Sequence, residues 1–324
     1  MWSFWTKGKL DVLRRYLDAY TTATKSVSER IYLDAFAGEL DNEERLTGEQ
    51  IESSASIALL IGNPPFTRVR LFEREGKAKQ LASSLHAQFP GRDLKVYGGD
   101  CNERIPEALA ELKEVRWAPT FAFIDPNGTE AEWKSLVSLA GFREAHRTKT
   151  ELFILFSAPM FTRLLPVDGN KVRPQDLARI TAIFGCDDWQ HIYAARLDNA
   201  ITPGQARDEY LNLMRWRLEK ELGYRWTQPL EVRNERGIMI YHMVFATDHD
   251  AGYRIMKSVY ARAAAEFPSM AEQARRLRKK KEDEERGVQS LFGEDDALLH
   301  APIQPGERLY IHDPPTRPWF MEEL

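Results

Sequence analysis

Acidic residues stand at the ends of four short apolar runs in the first half of the chain. Asp34 closes the run RIYLD and leads into AFAG, and Glu73 closes RVRLFE. Asp100 follows LKVYGG, and Asp125 closes TFAFID. A carboxylate can accept the hydroxyl protons of a ribose, and a nearby glycine lets the backbone approach a ligand closely. These residue types therefore predict a nucleotide-like ligand, provided that the runs end at one place.

The runs that carry these residues have the pattern of strands alternating with helices. Nearly continuous apolar strands predict a parallel sheet that is covered on both faces. Right-handed crossovers place the carboxyl ends of such strands along one edge, where ligands bind. The predicted strands are 30–36, 68–73, 94–97, 120–125 and 151–157, and a glycine-bearing turn joins two more, 230–234 and 238–247. The predicted helices are 9–20, 53–61, 76–89, 103–113, 130–142, 174–184, 205–222 and 252–267.

Each acidic residue has a simpler explanation when it is considered alone. A glycine after a strand is usually part of a turn, and Glu73 next to Arg74 resembles a surface charge. Asp100 could cap the helix that follows it, and Asp125 with Pro126 could end a strand. Four acidic residues at successive strand ends are harder to explain in this way. The ordered set therefore favours a cofactor site.

Four segments, YLDAFAG, the strand ending in Glu73, GGDCNERI and FAFIDPNG, resemble the motifs of S-adenosylmethionine-dependent methyltransferases. Together with FATDHDAG they resemble the three-Cys-motif partner proteins, over residues 7–265. The resemblance implies an α/β, Rossmann-like class I methyltransferase fold. Such a fold has a mostly parallel seven-stranded sheet ending in a hairpin, here with a helical insertion after strand five and a helical and extended C-terminal tail. The resemblance also implies S-adenosyl-L-methionine as the cofactor and a radical-S-adenosylmethionine-like three-cysteine protein as a partner.

The resemblance implies a role for each motif. Gly38 would lie against the methionine part of the cofactor, Glu73 against the ribose and Asp100 against the adenine. Asp125 would accept a hydrogen bond from the attacking amine or hydroxyl, and Asn127 would orient that group. The expected cofactor-binding residues are Asp34, Phe36, Ala37, Gly38, Glu73, Asp100 and Cys101, with Asn102 also near the adenine, and the expected catalytic residues are Asp125, Pro126 and Asn127.

Two positions depart from the pattern of such methyltransferases. Leu40 stands where a second glycine is common, and Asn127 stands where an aromatic residue stacks on a target base. Trp133 or Phe161 could supply that ring. One interpretation is a methyltransferase that acts on nucleic acid or on a nucleotide-related substrate. The departures keep a second interpretation open, an inactive methyltransferase-like partner of the three-cysteine protein.

Composition bounds the class of protein. The 324 residues are 43% hydrophobic and 29% charged, which is typical of a globular chain, and no apolar run predicts a membrane-spanning helix. Cys101 and Cys186 lie far apart and predict neither a disulfide scaffold nor a zinc site. The chain opens without a secretory signal pattern, so we expect a cytoplasmic protein.

Because the net charge is −4, binding of nucleic acid needs a local basic face. The basic stretch 275–281 is better explained as a solvated helix balanced by the acidic run 282–285.

The pattern divides the chain into three regions. Residues 1–157 and 226–265 form the predicted α/β core. Residues 158–225 form a helical insertion, whose mixture of aromatic and basic residues predicts substrate recognition and whose apolar residues equally suit a cover over the sheet. The first group contains Trp189, Arg196, Arg207, Arg215 and Arg217, and the second contains Leu211, Met214 and Leu218. Residues 266–324 form a charged helix after Pro268 and an extended, proline-rich tail.

Overall fold

A seven-stranded sheet lies at the centre of the computed structural model, which describes residues 4–40, 42–43, 48, 50–126, 128–146, 148–167, 172–285 and 309–321. Its strands are β1 Ile31–Asp34, β2 Arg68–Glu73, β3 Leu94–Gly98, β4 Thr120–Ile124, β5 Glu151–Phe156, β6 Trp226–Arg233 and β7 Met239–Thr247. They lie in the order β3-β2-β1-β4-β5-β7-β6. The first five are parallel, and β7 is antiparallel to both of its neighbours. This order confirms the predicted Rossmann-like class I methyltransferase fold with its terminal hairpin.

Helices cover both faces of this sheet. They are α1 Phe4–Ala23, α2 Ser54–Leu60, α3 Glu75–Gln88, α4 Cys101–Glu111, α5 Trp133–Gly141, α6 Ala158–Leu164, α7 Pro174–Phe184, α8 Trp189–Leu197, α9 Pro203–Lys220 and α10 Asp250–Glu285. A 3₁₀ turn spans Lys113–Val115, and Asn42–Glu43 pairs with Gln50–Ile51 in a separate short ribbon. One buried apolar layer contains α1, α2, α3 and α10, and the other contains α4 to α9. Within the described ranges, no helix is both long enough and apolar enough to cross a membrane.

Helix α10 runs without interruption through Pro268, although the sequence pattern predicted two helices divided at this residue. A proline inside a helix removes one backbone hydrogen bond. Phe267, Ala271 and Ala274 are buried on both sides of Pro268, so the apolar face of the helix continues past it. Tertiary packing of this face outweighs the local cost of the proline, as it does for most helices in proteins.

The basic stretch 275–281 lies on the second half of α10, beside the turn between β6 and β7. Arg275 donates through Nε and Nη2 to the Glu235 carbonyl at 3.0 and 2.9 Å. Arg278 pairs with the Glu235 carboxylate and with Glu282, each at 2.8 Å. These contacts hold α10 to the hairpin and agree with the structural explanation of this stretch.

The insertion 158–225 contains four helices, of which the sequence pattern predicted only α7 and α9. Buried rings join them: Phe161 of α6 lies 5.4 Å from Phe184 of α7 and 5.1 Å from Tyr210 of α9, measured between ring centroids. Helices α6 and α8 have 7 and 9 residues, too few turns for a periodic apolar pattern to stand out. The apolar side of the insertion therefore covers the sheet next to β5.

Residues 309–321 return to the sheet and lie along its β6 edge. The Glu231 N–H donates to the Leu309 carbonyl at 2.7 Å, and the Ile311 N–H donates to the Pro229 carbonyl at 3.3 Å. A segment that pairs with an edge strand satisfies backbone groups that would otherwise be open to another chain. This part of the tail is extended and belongs to the packed structure.

Candidate functional site

The carboxyl end of β1 carries a carboxylate that is fully buried. The Tyr32 hydroxyl donates to Asp34 Oδ2 at 3.1 Å, and the Phe36 N–H donates to Asp34 Oδ1 at 3.2 Å. Burial raises the pKa of Asp34 to about 6, and the hydrogen bonds from Ser54, Phe36 and Tyr32 limit this rise. Asp34 thus shapes the turn after β1, in which Phe36 is half-buried and Ala37 is buried.

Gly38 and Glu73 bring the ends of β1 and β2 together. The Gly38 N–H donates to Glu73 Oε2 at 2.8 Å, and the Arg74 N–H donates to Glu73 Oε1 at 2.8 Å. Gly38 has a φ of +68°, and a Cβ built on it meets no described atom within 4 Å. Each oxygen of an ionised carboxylate has two lone-pair sites, so Glu73 can accept further hydrogen bonds from a ligand. Open space beside a glycine and a half-buried carboxylate form one side of the candidate site.

The three residues after β3 have different environments. Asp100 is exposed and caps α4, because the Asn102 N–H donates to Asp100 Oδ1 at 2.9 Å. Cys101 is buried, and burial raises the pKa of its thiol to about 12, so the thiol is neutral. The side chain of Asn102 is buried; Nδ2 donates to the Glu130 carbonyl at 2.7 Å and Oδ1 accepts from the Ser135 hydroxyl at 2.8 Å. The expectation that Asn102 faces an adenine is corrected, since its side chain joins the start of α4 to the segment after β4.

An ion pair between α1 and the end of β4 is the feature of the site that motif reasoning misses. Lys9 Nζ pairs with Asp125 Oδ2, although 116 residues separate the two in the sequence. Both side chains are shielded from solvent, with exposed fractions of 8% and 21%. The signal in the sequence is the position of Lys9 on the buried face of α1, between Gly8 and Leu10. A buried lysine needs an anionic partner, so this position indicates a contact with a distant carboxylate.

The remaining residues near Asp125 come from β7 and from the segment after β4. Tyr241 is buried, and burial together with the negative charge of Asp125 raises its pKa well above the ordinary value. Pro126 is half-buried. Asn127, the third expected catalytic residue, lies outside the described residues.

The two aromatic residues considered as substitutes for a stacking ring are both part of the core. Trp133 is 7% exposed, and the guanidinium of Arg217 lies over its ring at 4.3 Å from the centroid. Phe161 is 2% exposed and packs against Phe156 and Phe184. Neither ring presents an open face to a flipped base in this structure.

The residues on the β1–β3 side of the edge fit an adenosyl cofactor with a charged amino-acid tail. Gly38 has open space where a side chain would project, and Glu73 and Asp100 supply carboxylates on the adjacent strands. Glu130 Oε2, in the segment that Asn102 holds, is a buried acceptor without a hydrogen-bond partner among the described atoms. Among the residues that the structure describes, no group of three His, Cys, Asp or Glu residues is arranged to hold a metal ion.

Comparison with known proteins adds little to this description. No protein-family model matches the chain, and no curated protein matches it. A solved structure of a DUF519 protein from Legionella pneumophila is 12% identical, with 80% of this chain and 92% of that chain covered at a TM-score of 0.44. A DUF574 protein from Streptomyces avermitilis is 13% identical, with 74% and 82% covered at a TM-score of 0.38. The fold assignment rests on the strand order of this chain itself.

Proposed function

We propose that this chain is an S-adenosylmethionine-dependent methyltransferase that acts on nucleic acid or on a nucleotide-related substrate. One observation carries the proposal: the Gly38 N–H donates to Glu73 Oε2 at 2.8 Å beside open space. This contact joins the ends of β1 and β2, next to the point between β1 and β4 where the strand order reverses. Open α/β sheets bind their ligands at such a switch point, outside the carboxyl ends of the strands.

The residues at the first three strand ends would hold the cofactor. Glu73 accepts hydrogen bonds from the ribose hydroxyls, Gly38 lies against the methionine part, and Asp100 lies towards the adenine. Phe36, Ala37 and the neutral thiol of Cys101 provide apolar contacts, and Asp34 keeps the turn in shape. When bound, S-adenosylmethionine supplies an electrophilic methyl group. Positioning the acceptor and excluding water then account for most of the expected rate enhancement.

The acceptor would bind at the end of β4. Asp125 accepts a hydrogen bond from the attacking amine or hydroxyl, and Asn127 orients that group. Lys9 fixes the Asp125 carboxylate, because its own side chain is held on the buried face of α1. The insertion 158–225 adjoins this side of the sheet through α6, and we assign substrate recognition to it.

A second candidate function has a specific observation in its favour. Lys9 already engages a carboxylate oxygen of Asp125, and Leu40 and Asn127 depart from the pattern of active enzymes. An ion pair in place of an acceptor suits a methyltransferase-like protein that keeps the fold and does not transfer a methyl group. Such a protein would act in the cytoplasm beside a radical-S-adenosylmethionine-like three-cysteine protein, as the resemblance to the three-Cys-motif partners implies.

Two measurements separate these candidates. Isothermal titration with S-adenosylmethionine tests the cofactor, and we expect one site per chain. A tritiated-methyl assay over separate DNA, RNA, nucleotide and protein pools tests transfer, and we expect label in a nucleic-acid or nucleotide pool. Binding without label in any pool favours the inactive partner. The absence of both heat and a shift in unfolding temperature contradicts cofactor binding and with it the enzyme.

A further inference from the structure

A group of basic side chains lies between α9 and the terminal hairpin. It consists of Arg207 on α9, Arg233 on β6 and His242 on β7. His242 pairs in register with Phe156, the last residue of β5, and with Glu231 of β6. The group therefore lies at the same edge of the sheet as the ends of the parallel strands.

Two nitrogen atoms of this group are buried without a hydrogen-bond partner among the described atoms. They are Nδ1 of His242, a residue that is 1% exposed, and Nε of Arg207. An unpaired buried polar atom destabilises the folded state, so native proteins keep few of them. Such atoms are expected where a ligand completes the hydrogen bonds.

Arg215 shows what a structural arginine on the same helix looks like. It lies two turns after Arg207, where spacing places both on one face of α9. Its Nε donates to the Thr227 hydroxyl at 3.1 Å, and its Nη2 donates to the Thr227 carbonyl at 3.1 Å and to the Asp313 carbonyl at 2.7 Å. Arg215 therefore holds the tail to the sheet, whereas the Nε of Arg207 has no such contact.

The charged groups that act on His242 are arginines. Burial and the positive charges of Arg215, Arg233 and Arg207 together lower the pKa of His242 to about 3, so the imidazole is neutral. Each of the three arginines also has a carboxylate nearby. Arg233 Nε donates to Glu231 Oε1 at 2.6 Å. Glu219 and Asp313 lie near Arg215, and Asp208 lies near Arg207. A neutral imidazole can donate one hydrogen bond without adding charge, and arginine is the preferred partner of phosphate oxygens.

We infer that Arg207, Arg233 and His242 form a binding site for the phosphate group of a nucleotide acceptor. This inference rests on the proposed function and deepens it, since it names the anionic group by which the substrate is recognised. Strand β5 alone separates β4 from β7 in the sheet. Adjacent strands lie about 4.8 Å apart, so the ends of β4 and β7 are about 10 Å apart along the edge of the sheet. Asp125 lies on the face that α1 covers, and His242 lies on the face that α9 covers. A substrate of one or two nucleotides that passes over the end of β5 can reach both.

The test uses cytidine 5′-monophosphate, cytidine and inorganic phosphate as separate probes in calorimetric titrations of the full chain. A pyrimidine is chosen, and S-adenosylhomocysteine is kept at saturation, so that the adenine part of the cofactor site does not respond. We expect the monophosphate to bind more tightly than phosphate and at least tenfold more tightly than cytidine. Phosphate binding as tightly as the monophosphate overturns the nucleotide assignment. Equal affinity for cytidine and its monophosphate overturns the phosphate site.

Arg207→Gln tests the residue, and Arg225→Gln is its matched control. Arg225 is an exposed arginine that stacks on Trp226 and pairs with Asp250. We expect Arg207→Gln to weaken monophosphate binding roughly tenfold to hundredfold, as for the loss of a charge-assisted hydrogen bond, and Arg225→Gln to leave it unchanged. An equal effect of both substitutions, or no effect of Arg207→Gln, contradicts the inference.

Thermal unfolding and cofactor titration of the same variants keep the outcomes distinct. Because Arg207 Nε has no hydrogen-bond partner among the described residues, Arg207→Gln should unfold at the temperature of the unmodified protein. His242→Gln provides a second test of the same loss of affinity. Cofactor binding without monophosphate binding removes this inference and leaves the proposed function. Monophosphate binding that depends on Arg207, without cofactor binding, removes the proposed function and leaves the phosphate site.

Discussion

The two halves of the candidate site are built in different ways. On the cofactor side, the ends of β1 and β2 meet through backbone groups, since the N–H groups of Gly38 and Arg74 bind the two oxygens of Glu73. On the acceptor side, the carboxylate at the end of β4 is held by Lys9 of the N-terminal helix. The first arrangement follows from local motifs, and the second exists only after the whole chain has folded.

This difference means that the halves should respond separately to substitution. The cofactor side has open space and half-buried or exposed carboxylates, so changes there should alter affinity more than stability. The acceptor side depends on α1, which packs along α10 and β5, so changes there should alter transfer or stability more than cofactor affinity.

The largest expected effect comes from Asp125→Asn on the acceptor side. This change keeps the size of the side chain and removes its negative charge. That charge pairs with Lys9 and would hold the amine or hydroxyl that receives the methyl group. We expect methyl transfer to fall by at least about a hundredfold, within the range for lost general-base or acceptor groups. S-adenosylmethionine affinity, measured by calorimetry, should stay within about twofold. A variant that transfers label at the normal rate would show that Asp125 has no part in the chemistry.

The next largest effect is expected on stability, through the buried Glu151, which contacts the helix α1 that carries Lys9. Glu151 at the start of β5 is buried, and it accepts from the Tyr16 hydroxyl of α1 at 2.5 Å and from the Thr247 hydroxyl at 2.8 Å. Burial raises the pKa of Glu151 from 4.5 to about 7, and the two hydrogen bonds limit the rise. The folded protein thus holds this proton more tightly than the unfolded chain does.

The protonated Glu151 contributes fully to the free energy of unfolding below about pH 4.5. This contribution is lost as the pH rises through about 7. The side chain at position 151 cannot titrate in the variant Glu151→Gln. Between about pH 4.5 and 7, the free energy of unfolding of the unmodified protein should therefore fall by about 3 kcal/mol relative to that of the variant. Urea unfolding at a series of pH values measures the difference. The exposed substitution Glu107→Gln serves as control, and a difference for Glu151→Gln that does not change with pH would contradict the buried, protonated carboxyl.

Glu73→Gln tests the cofactor side. An amide retains one acceptor oxygen but loses the charge that holds the Gly38 and Arg74 N–H groups and would bind the ribose hydroxyls. We expect S-adenosylmethionine affinity to fall roughly tenfold to hundredfold, as for the loss of charge-assisted hydrogen bonds. Glu144→Gln, an exposed change after α5, should leave the affinity unchanged. Equal affinities for both variants would remove Glu73 from the cofactor site.

The smallest effect on stability is expected for Gly38→Ala. At a φ of +68° an alanine is strained, so the free energy of unfolding should fall by about 1 kcal/mol, while the methyl group projects into the open space. Gly76→Ala is the matched control, because it lies in α3 with no described atom near its Cβ position and no positive φ. If Gly38→Ala lowers stability but leaves cofactor affinity unchanged, the open space beside Gly38 is not part of the cofactor site.

Local patterns predicted the fold because the central parallel strands β1, β4 and β5 are buried along their whole length and are therefore mostly apolar. Strand 68–73 is found with the predicted bounds, and the order of the seven strands follows the predicted topology. Helix α10 departed from the prediction because the proline rule is local, whereas packing of Phe267 and Ala271 continues across Pro268.

Within the candidate site, local patterns place residues near strand ends, whereas long-range contacts are not visible in them. Glu73 is the last residue of β2, and Gly38 and Asp100 lie in the segments that follow β1 and β3. Their roles towards a cofactor stay predictions. Asn102 is also close to a strand end, but its side chain turns inward because Glu130 and Ser135 offer hydrogen-bond partners that no local pattern reveals. Lys9 was missed for the same reason.

A crystal structure with S-adenosylhomocysteine tests the central claim most directly, because the ligand's position shows which strand ends bind it. We predict the ribose hydroxyls within hydrogen-bond distance of Glu73, the amino-acid tail against Gly38, and the sulfur atom facing Asp125 and Lys9. A ligand bound elsewhere, or a sulfur atom that points away from the end of β4, would contradict the account.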